Sequence, residues 1–238
     1  MKQDVIHKFV GDQLSLWSLA CDNFRALKGV NVREMEVGGL KVSLQHNPSR
    51  IISSAAKTDA ASLQARRCFL CPENRPAEQI MLPFEGRKGK EYDILVNPYP
   101  IFPDHLVIAA RNHTDQTIWN RYVDILDMAS HYPDYTFFYN GPKCGASAPD
   151  HHHFQATRNG LMPLENDVNR EMDAMLKNLG NVREIAQDTV FDYMTAVQDA
   201  KLYHYRRFVR GVFVIRARTA KSSAKMFYRF LDTLHNIA

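Results

Sequence analysis

The chain has 238 residues, 45% of them hydrophobic and 24% charged, with 11 Gly, 11 Pro and a net charge of +4. That composition excludes disordered and collagen-like proteins, and no apolar run approaches the roughly 20 residues a membrane helix needs. The charge is too mild and too dispersed for a nucleic-acid partner, but it suits a ligand bearing phosphates.

From the N-terminus, Met1 to Val10 carry charges and no apolar signal core, so a cytoplasmic location with no membrane partner is expected. Ile6, Phe9, Val10, Leu14, Trp17, Leu19, Ala20, Phe24 and Leu27 recur at helical spacing, with Gly29 as the stop. The alternating stretch from Val30 to Leu44, broken by Gly38-Gly39, predicts a hairpin, and Ile51 to Ala55 a short strand. Strands are predicted at Tyr92 to Asn97 and Leu106 to Ala110, then a helix capped by Thr114 and running to about Ser130. A strand from Tyr135 to Tyr139 and a turn from Gly141 to Pro149 lead into a strand from His151 to Thr157. A helix over 166–178, strands near 189–194, 200–207 and 210–216, and a helix from about Ser222 complete the series. Helices interleaved with meandering strands predict an α+β fold with a mainly antiparallel sheet. There is no internal repeat and no linker rich in Pro, Gly or Ser, so residues 1–238 are expected to form a single domain. No sheet element follows the last helix, which predicts a C-terminal part shorter than in relatives.

The chemistry concentrates at Gly145-Ala-Ser-Ala-Pro-Asp-His151-His-His153-Phe-Gln155. On a strand, residues two apart share a face, so His151, His153 and Gln155 point one way and His152 and Phe154 the other. Two imidazoles and a carboxamide on one face make poor core, because their polar atoms need partners. A satisfied polar cluster and an incidental metal-binding run are the plain readings. The preceding turn adds a further one, since Gly145, Ser147 and nearby N–H groups can cradle an anion beside the imidazoles. Four cysteines are too few for a disulfide scaffold, which leaves Cys68-x-x-Cys71 for metal or redox chemistry.

These residues resemble a known family. His-x-His-x-Gln after a Gly-Ala-Ser turn resembles the active-site strand of the galactose-1-phosphate uridylyltransferase branch of the histidine-triad superfamily. His151 to Ala156 is similar to the His-x-His-Phe-Gln-Ala of GDP-hexose phosphorylases. Asn140 sits where that family places an Asn before the turn. Asn97-Pro98, His105-Leu-Val-Ile108 and Arg111-Asn-His113 resemble the Asn-Pro, His-x-Leu-Val-Ile and His of histidine-triad proteins. Cys68-Phe-Leu-Cys71-Pro-Glu-Asn resembles the Cys-x-x-Cys-Pro-Gly-Asn of uridylyltransferases. The resemblance covers roughly residues 45 to 160, and the Pro149-Asp150-His151 spacing is one residue longer than in the uridylyltransferases.

The resemblance implies a histidine-triad-like fold with His153 as nucleophile and Gln155 holding a phosphate oxygen. It further implies Asn97, Asn140, Gly145 and Ser147 around the nucleotide and phosphate, and a structural zinc on Cys68, Cys71, His113 and His151. A single Cys-x-x-Cys also fits a redox pair or two unpaired thiols, and phosphorylase relatives need not carry metal, which leaves an apo site open. Cys144 falls in the turn and Cys21 in the first helix. The string Arg206, Arg207, Arg210, Arg216 and Arg218 alternates with apolar residues and reads as a solvated face, with Arg216 or Arg218 as candidates for an acceptor phosphate. Arg50 is a candidate nucleotide contact or an exposed turn residue. The implied activity is nucleotidyl transfer or phosphorolysis on a nucleoside-diphosphate sugar, through a nucleotidyl-histidine intermediate. Its partners would be a nucleotide sugar and phosphate or a sugar phosphate, with a homodimer left open. The alternatives are a dinucleoside polyphosphate phosphorylase or hydrolase, and an idle nucleotide- or metal-binding module.

Overall fold

The computed structural model describes residues 2–37, 40–51, 55, 57–178 and 190–236. Contacts group the chain into two compact units, one of Met1–Val32 with Gln45–Asn159 and one of Arg33–Leu44 with Gly160–Ala238.

The first unit opens with α1 (Lys2–Leu16) and α2 (Ser18–Leu27). The apolar spacing predicts one helix here, but the backbone of Trp17 is extended (φ −124°, ψ 100°) and breaks it. The break leaves Trp17 buried beside the first turn of α2. Next along the chain comes the ribbon β1 (Asn31–Val37) and β2 (Leu40–His46), the predicted hairpin, whose Arg33–Leu44 part belongs to the second unit and whose Gly38-Gly39 turn lies outside the described residues. Ile51 has helical angles (φ −56°, ψ −35°) instead of the predicted strand, and 52–54 fall outside the described residues. A short helix, α3 (Ala60–Ala65), is capped by the Asp59 carboxylate on Ser62 N–H.

The sheet of this unit has five strands, all antiparallel: β3 (Leu82–Glu85), β4 (Glu91–Val96), β5 (Leu106–Ala110), β6 (Tyr135–Phe138) and β7 (His153–Arg158), in the order β3-β4-β5-β7-β6. Period-two alternation sorts its residues cleanly. Tyr92, Ile94, Val96, Leu106, Ile108, Phe154 and Ala156 pack with Ile6, Phe9 and Val10 of α1 and with Ile125 and Met128 of α4 (Tyr122–His131). Leu95, Val107 and Ala109 face the other way, against Cys68, Leu70, Cys71 and Ala148.

Two predicted elements start late. The helix predicted from Thr114 begins only at Tyr122, because the segment before it is tied to the approach to β7. The Thr114 carbonyl accepts the His152 N–H (2.7 Å), its hydroxyl accepts from Arg121 (2.8 Å), and Asn120 sits at φ +61°. The strand predicted from His151 is regular only from His153.

The second unit holds α5 (Pro163–Asn178), the antiparallel strands β8 (Phe191–Val197), β9 (Ala200–Tyr205) and β10 (Val212–Arg216), and α6 (Ala220–His235). Residue 189, where the predicted strand would start, lies outside the described residues. The order is β10-β9-β8, with Tyr203, Tyr205 and Phe191 packed on Met172 of α5, and Leu202 and Ala200 on Met226 of α6. The architecture is therefore α+β with antiparallel sheets flanked by helices. No described helix is long and apolar enough to cross a membrane.

Candidate active site and metal centre

β7 carries the site because its partner strands fix which way its side chains point. Ala109 of β5 lies opposite His153, and Val107 opposite Gln155. His153 and Gln155 thus share the sheet face lined by Leu95, Val107 and Ala109. The His152 ring, by contrast, turns into the aromatic core, 4.7 Å from Phe154, 6.0 Å from Tyr139 and 6.2 Å from Tyr92 between ring centroids. It is fully buried, neither ring nitrogen has a partner, and burial pushes its pKa down to about 2.

The His153 ring is held in one tautomer. Nδ1 lies 2.9 Å from the His151 carbonyl, which can only accept, so Nδ1 carries the hydrogen and Nε2 is the bare nitrogen. Burial lowers its pKa, partly opposed by that same bond, so the ring is neutral near pH 7.

Gln155 is oriented by a residue that spacing alone leaves without a role. The Ile101 N–H donates to His105 Nδ1 (3.2 Å), so His105 Nε2 carries the hydrogen and donates to Gln155 Oε1 (2.9 Å). The Gln155 amide NH2 is then free to act as a donor. His105 is itself fully buried, and desolvation pushes its pKa down to about 4, with the Arg50 charge acting in the same direction. Arg50 donates to the Tyr99 carbonyl (3.0 Å), Asn47 to that of Pro100 (3.2 Å) and Gln45 to that of Ile101 (3.3 Å). The Gln45–Arg50 stretch therefore braces the loop that ends at His105.

The other candidates are held by the segments that flank the sheet strands. Gly145 has φ +80°, the left-handed region that glycine enters without strain. The Ser147 carbonyl accepts from Arg66 (3.1 Å), which also bonds Asp150 (3.0 Å) and so ties the turn to the cysteine segment. The Asn97 side chain accepts the Tyr99 N–H (2.9 Å), an Asx turn that leaves only its NH2 for a ligand. The Asn140 carbonyl accepts from Gln116 (2.8 Å), a buried residue whose carboxamide also bonds both backbone groups of His153. Cys144 is exposed in the turn. Sequence reasoning missed Arg66 and Gln116 as site residues. The His-x-Leu-Val-Ile segment signalled His105, whereas no local pattern marks the other two.

Cys68, Cys71, His113 and His151 bring their ligand atoms within 4.8 Å of one another. Nδ1 of His151 lies 3.3 Å from Cys68 Sγ, 3.6 Å from Cys71 Sγ and 3.2 Å from His113 Nδ1, and Cys71 Sγ lies 3.2 Å from His113 Nδ1. Tetrahedral zinc with ordinary bond lengths would separate two nitrogens by about 3.3 Å and a nitrogen from a sulfur by about 3.6 Å. The donors also fit chemically. His151 Nε2 donates to the Ala110 carbonyl (2.7 Å), which leaves the Nδ1 lone pair aimed into the cluster. Burial and the neighbouring Cys68 push the Cys71 thiol up to about 12, so a cation is what would make it a thiolate ligand. Two sulfurs and two imidazoles with no carboxylate are a set suited to zinc.

In the second unit, Arg207 pairs with Glu171 (2.9 Å) and Arg206 with Asp192 (3.5 Å), while Arg210, Arg216 and Arg218 are exposed.

By sequence, the chain belongs to the family described as a domain of unknown function, DUF4922, which matches residues 9–158. Two similar solved structures are those of yeast Ap4A phosphorylase Apa2. The one in complex with AMP has 17% identity and a TM-score of 0.40, covering 78% of this chain and 56% of that one. The other has 16% identity and a TM-score of 0.37, covering 79% and 60%. The chain thus spans less than two thirds of that enzyme's length. No curated protein matches it.

Proposed function

We propose that the protein transfers a nucleoside monophosphate unit between phosphate-bearing partners through a covalent intermediate on His153. The observation that carries this reading is the pair of fixed tautomers. His153 offers a bare Nε2 because its Nδ1–H is spent on the His151 carbonyl, and Gln155 offers NH2 because His105 occupies its oxygen. A neutral imidazole beside an amide donor is what in-line attack at phosphorus requires. In the first step the Nε2 lone pair forms a P–N bond to the α-phosphorus, and the bond to the leaving phosphate oxygen breaks with its electron pair. In the second, an acceptor oxygen attacks phosphorus and the P–N electron pair returns to Nε2. Gln155 NH2 donates to the non-bridging oxygen on which charge grows. Gly145, Ser147 and Asn140 would cradle the phosphates, and the Asn97 NH2 would meet the nucleotide.

Cys68, Cys71, His113 and His151 would hold zinc as a closed structural cross-link with no open coordination position. His151 also lends its carbonyl to His153, so the same residue serves the metal set and the nucleophile.

The substrate class is a nucleoside polyphosphate ester with inorganic phosphate as acceptor. Dinucleoside polyphosphates, on which the named phosphorylase acts, head the panel. Nucleoside-diphosphate sugars, which the motif resemblance implies, come second. Incubation with α-labelled substrate and no acceptor should leave label that resists base and is released by acid, as a P–N bond is, and kinetics should be ping-pong. Label retained by His153→Ala, or intersecting kinetic lines without trapped label, would overturn the reading. AMP binding without label or turnover would mark an idle binding module instead.

A further inference from the structure

Gln116 belongs to no motif, yet its carboxamide makes three hydrogen bonds in a buried position. Oε1 accepts the His153 N–H (2.8 Å), and Nε2 donates to the carbonyls of His153 (3.1 Å) and Asn140 (2.8 Å). The side chain is almost completely buried, and its backbone is held in turn, since the Tyr139 hydroxyl donates to the Gln116 carbonyl (2.8 Å). Strand register explains what this achieves. β6 ends at Phe138, opposite Gln155 of β7, and continuing that antiparallel pairing by two residues would set Asn140 opposite His153. Gln116 stands in the gap. It bonds both backbone groups of His153 as a partner strand residue would, and passes one bond on to Asn140. The neighbouring residues add to the same bracket, with the Thr114 carbonyl on the His152 N–H and His113 in the four-residue metal set.

We propose that Gln116 is a positioning residue for the transfer, fixing the backbone of His153 and so the direction in which Nε2 presents its lone pair. This rests on His153 being the nucleophile. Reactivity at phosphorus falls steeply with misplacement, and a displacement of about 1 Å can cost on the order of 10²-fold in rate. Gln116 touches no reacting atom, so its loss should appear in kcat and leave KM near its original value.

The test uses the full chain with Ap4A and inorganic phosphate as probes. Gln116→Met keeps the volume, so β6 and β7 cannot close on each other, and it removes all three bonds. It should lower the labelling rate of His153 roughly 10²-fold with KM moved less than about threefold. Gln116→Glu keeps the acceptor for the His153 N–H and, when protonated, one donor; it should recover about tenfold over Gln116→Met. Amide hydrogen exchange at residue 153 needs no turnover, and it should speed up at least about tenfold in Gln116→Met. Unchanged exchange at 153, or a loss confined to KM, would overturn the proposal. Should Gln116→Met not fold, Gln116→Glu decides, with roughly a tenfold fall in kcat at unchanged KM expected and an unchanged kcat overturning it. Wild-type protein that takes no label from any substrate would remove the nucleophile reading, while the exchange measurement still decides whether Gln116 holds His153.

Discussion

Adjacent histidines at the start of β7 face opposite environments, and that contrast makes the sharpest single-residue tests. His152 buries two unpartnered nitrogens among Tyr92, Tyr139 and Phe154, and an unsatisfied buried polar group costs about 1–3 kcal/mol. His152→Leu should therefore fold with equal or higher stability in urea titrations and keep its labelling rate within several-fold. His153→Ala should lose labelling altogether, and equal losses from the two changes would mean the faces are wrongly assigned. His105 adds a pH signature. Its pKa falls from the usual 6.5 to about 4 in the folded chain, so between those values the unfolded chain binds the extra proton. Stability is then full above about pH 6.5 and declines as pH falls toward 4, by roughly 3 kcal/mol at most from this residue. His105→Asn should flatten the difference between unfolding free energies measured at pH 7.5 and pH 5. At this scale the shared face of His153 and Gln155 was legible, because period-two spacing and unusual residue types coincide. Gln116 and Arg66 were not, because each works through a carboxamide or guanidinium bonded to backbone far away in sequence.

Among the elements, the stretch from Thr114 to Arg121 shows where periodicity misleads. Its apolar residues fit a helix, but hydrogen bonds to the approach of β7 take Thr114 and Gln116, and helix α4 waits until Tyr122. Tertiary partners outbid local propensity there. What anchors α4 is Asp124, a fully buried carboxylate that accepts from the Tyr92 hydroxyl (2.8 Å), Lys90 (2.8 Å) and the Arg87 N–H (2.9 Å). Asp124→Ala leaves the Tyr92 hydroxyl and the Arg87 N–H without this acceptor and Lys90 with the Asn120 carbonyl alone, and should cost about 3 kcal/mol in chemical unfolding. The cysteine segment makes the second test at this scale. Protein purified without added metal should carry close to one equivalent of zinc, and Cys71→Ser should lower both metal content and melting temperature. Metal content unchanged in Cys68→Ser and Cys71→Ser would end the zinc assignment.

At the scale of the molecule, the two units have separate apolar cores, one around β4, β5 and β7 and the other around β9. The family match ends at residue 158 and the first unit at Asn159, so the family's common part and the first unit stop together. A chain ending at Asn159, which still carries Arg33–Leu44 of the second unit, should accordingly keep a dispersed NMR spectrum and take up zinc, and an unfolded spectrum would show that the first unit depends on residues beyond 159. The α+β class and the antiparallel pairing were readable from alternation and turns. The division into two units was not, because no Pro-, Gly- or Ser-rich linker marks it.

The double use of His151, ring to the metal set and carbonyl to the His153 ring, has a pharmacological corollary. On the proposed reading, with zinc on the four-residue set and His153 as nucleophile, a chelator would behave as a poison that substrate cannot compete away. Its onset would follow the slow departure of the ion, not the occupancy of the substrate pocket. Turnover would fade while nucleotide affinity held steady. Growth under zinc scarcity would then lower both the turnover of this protein and its amount, since the chain without the ion is also the less stable one.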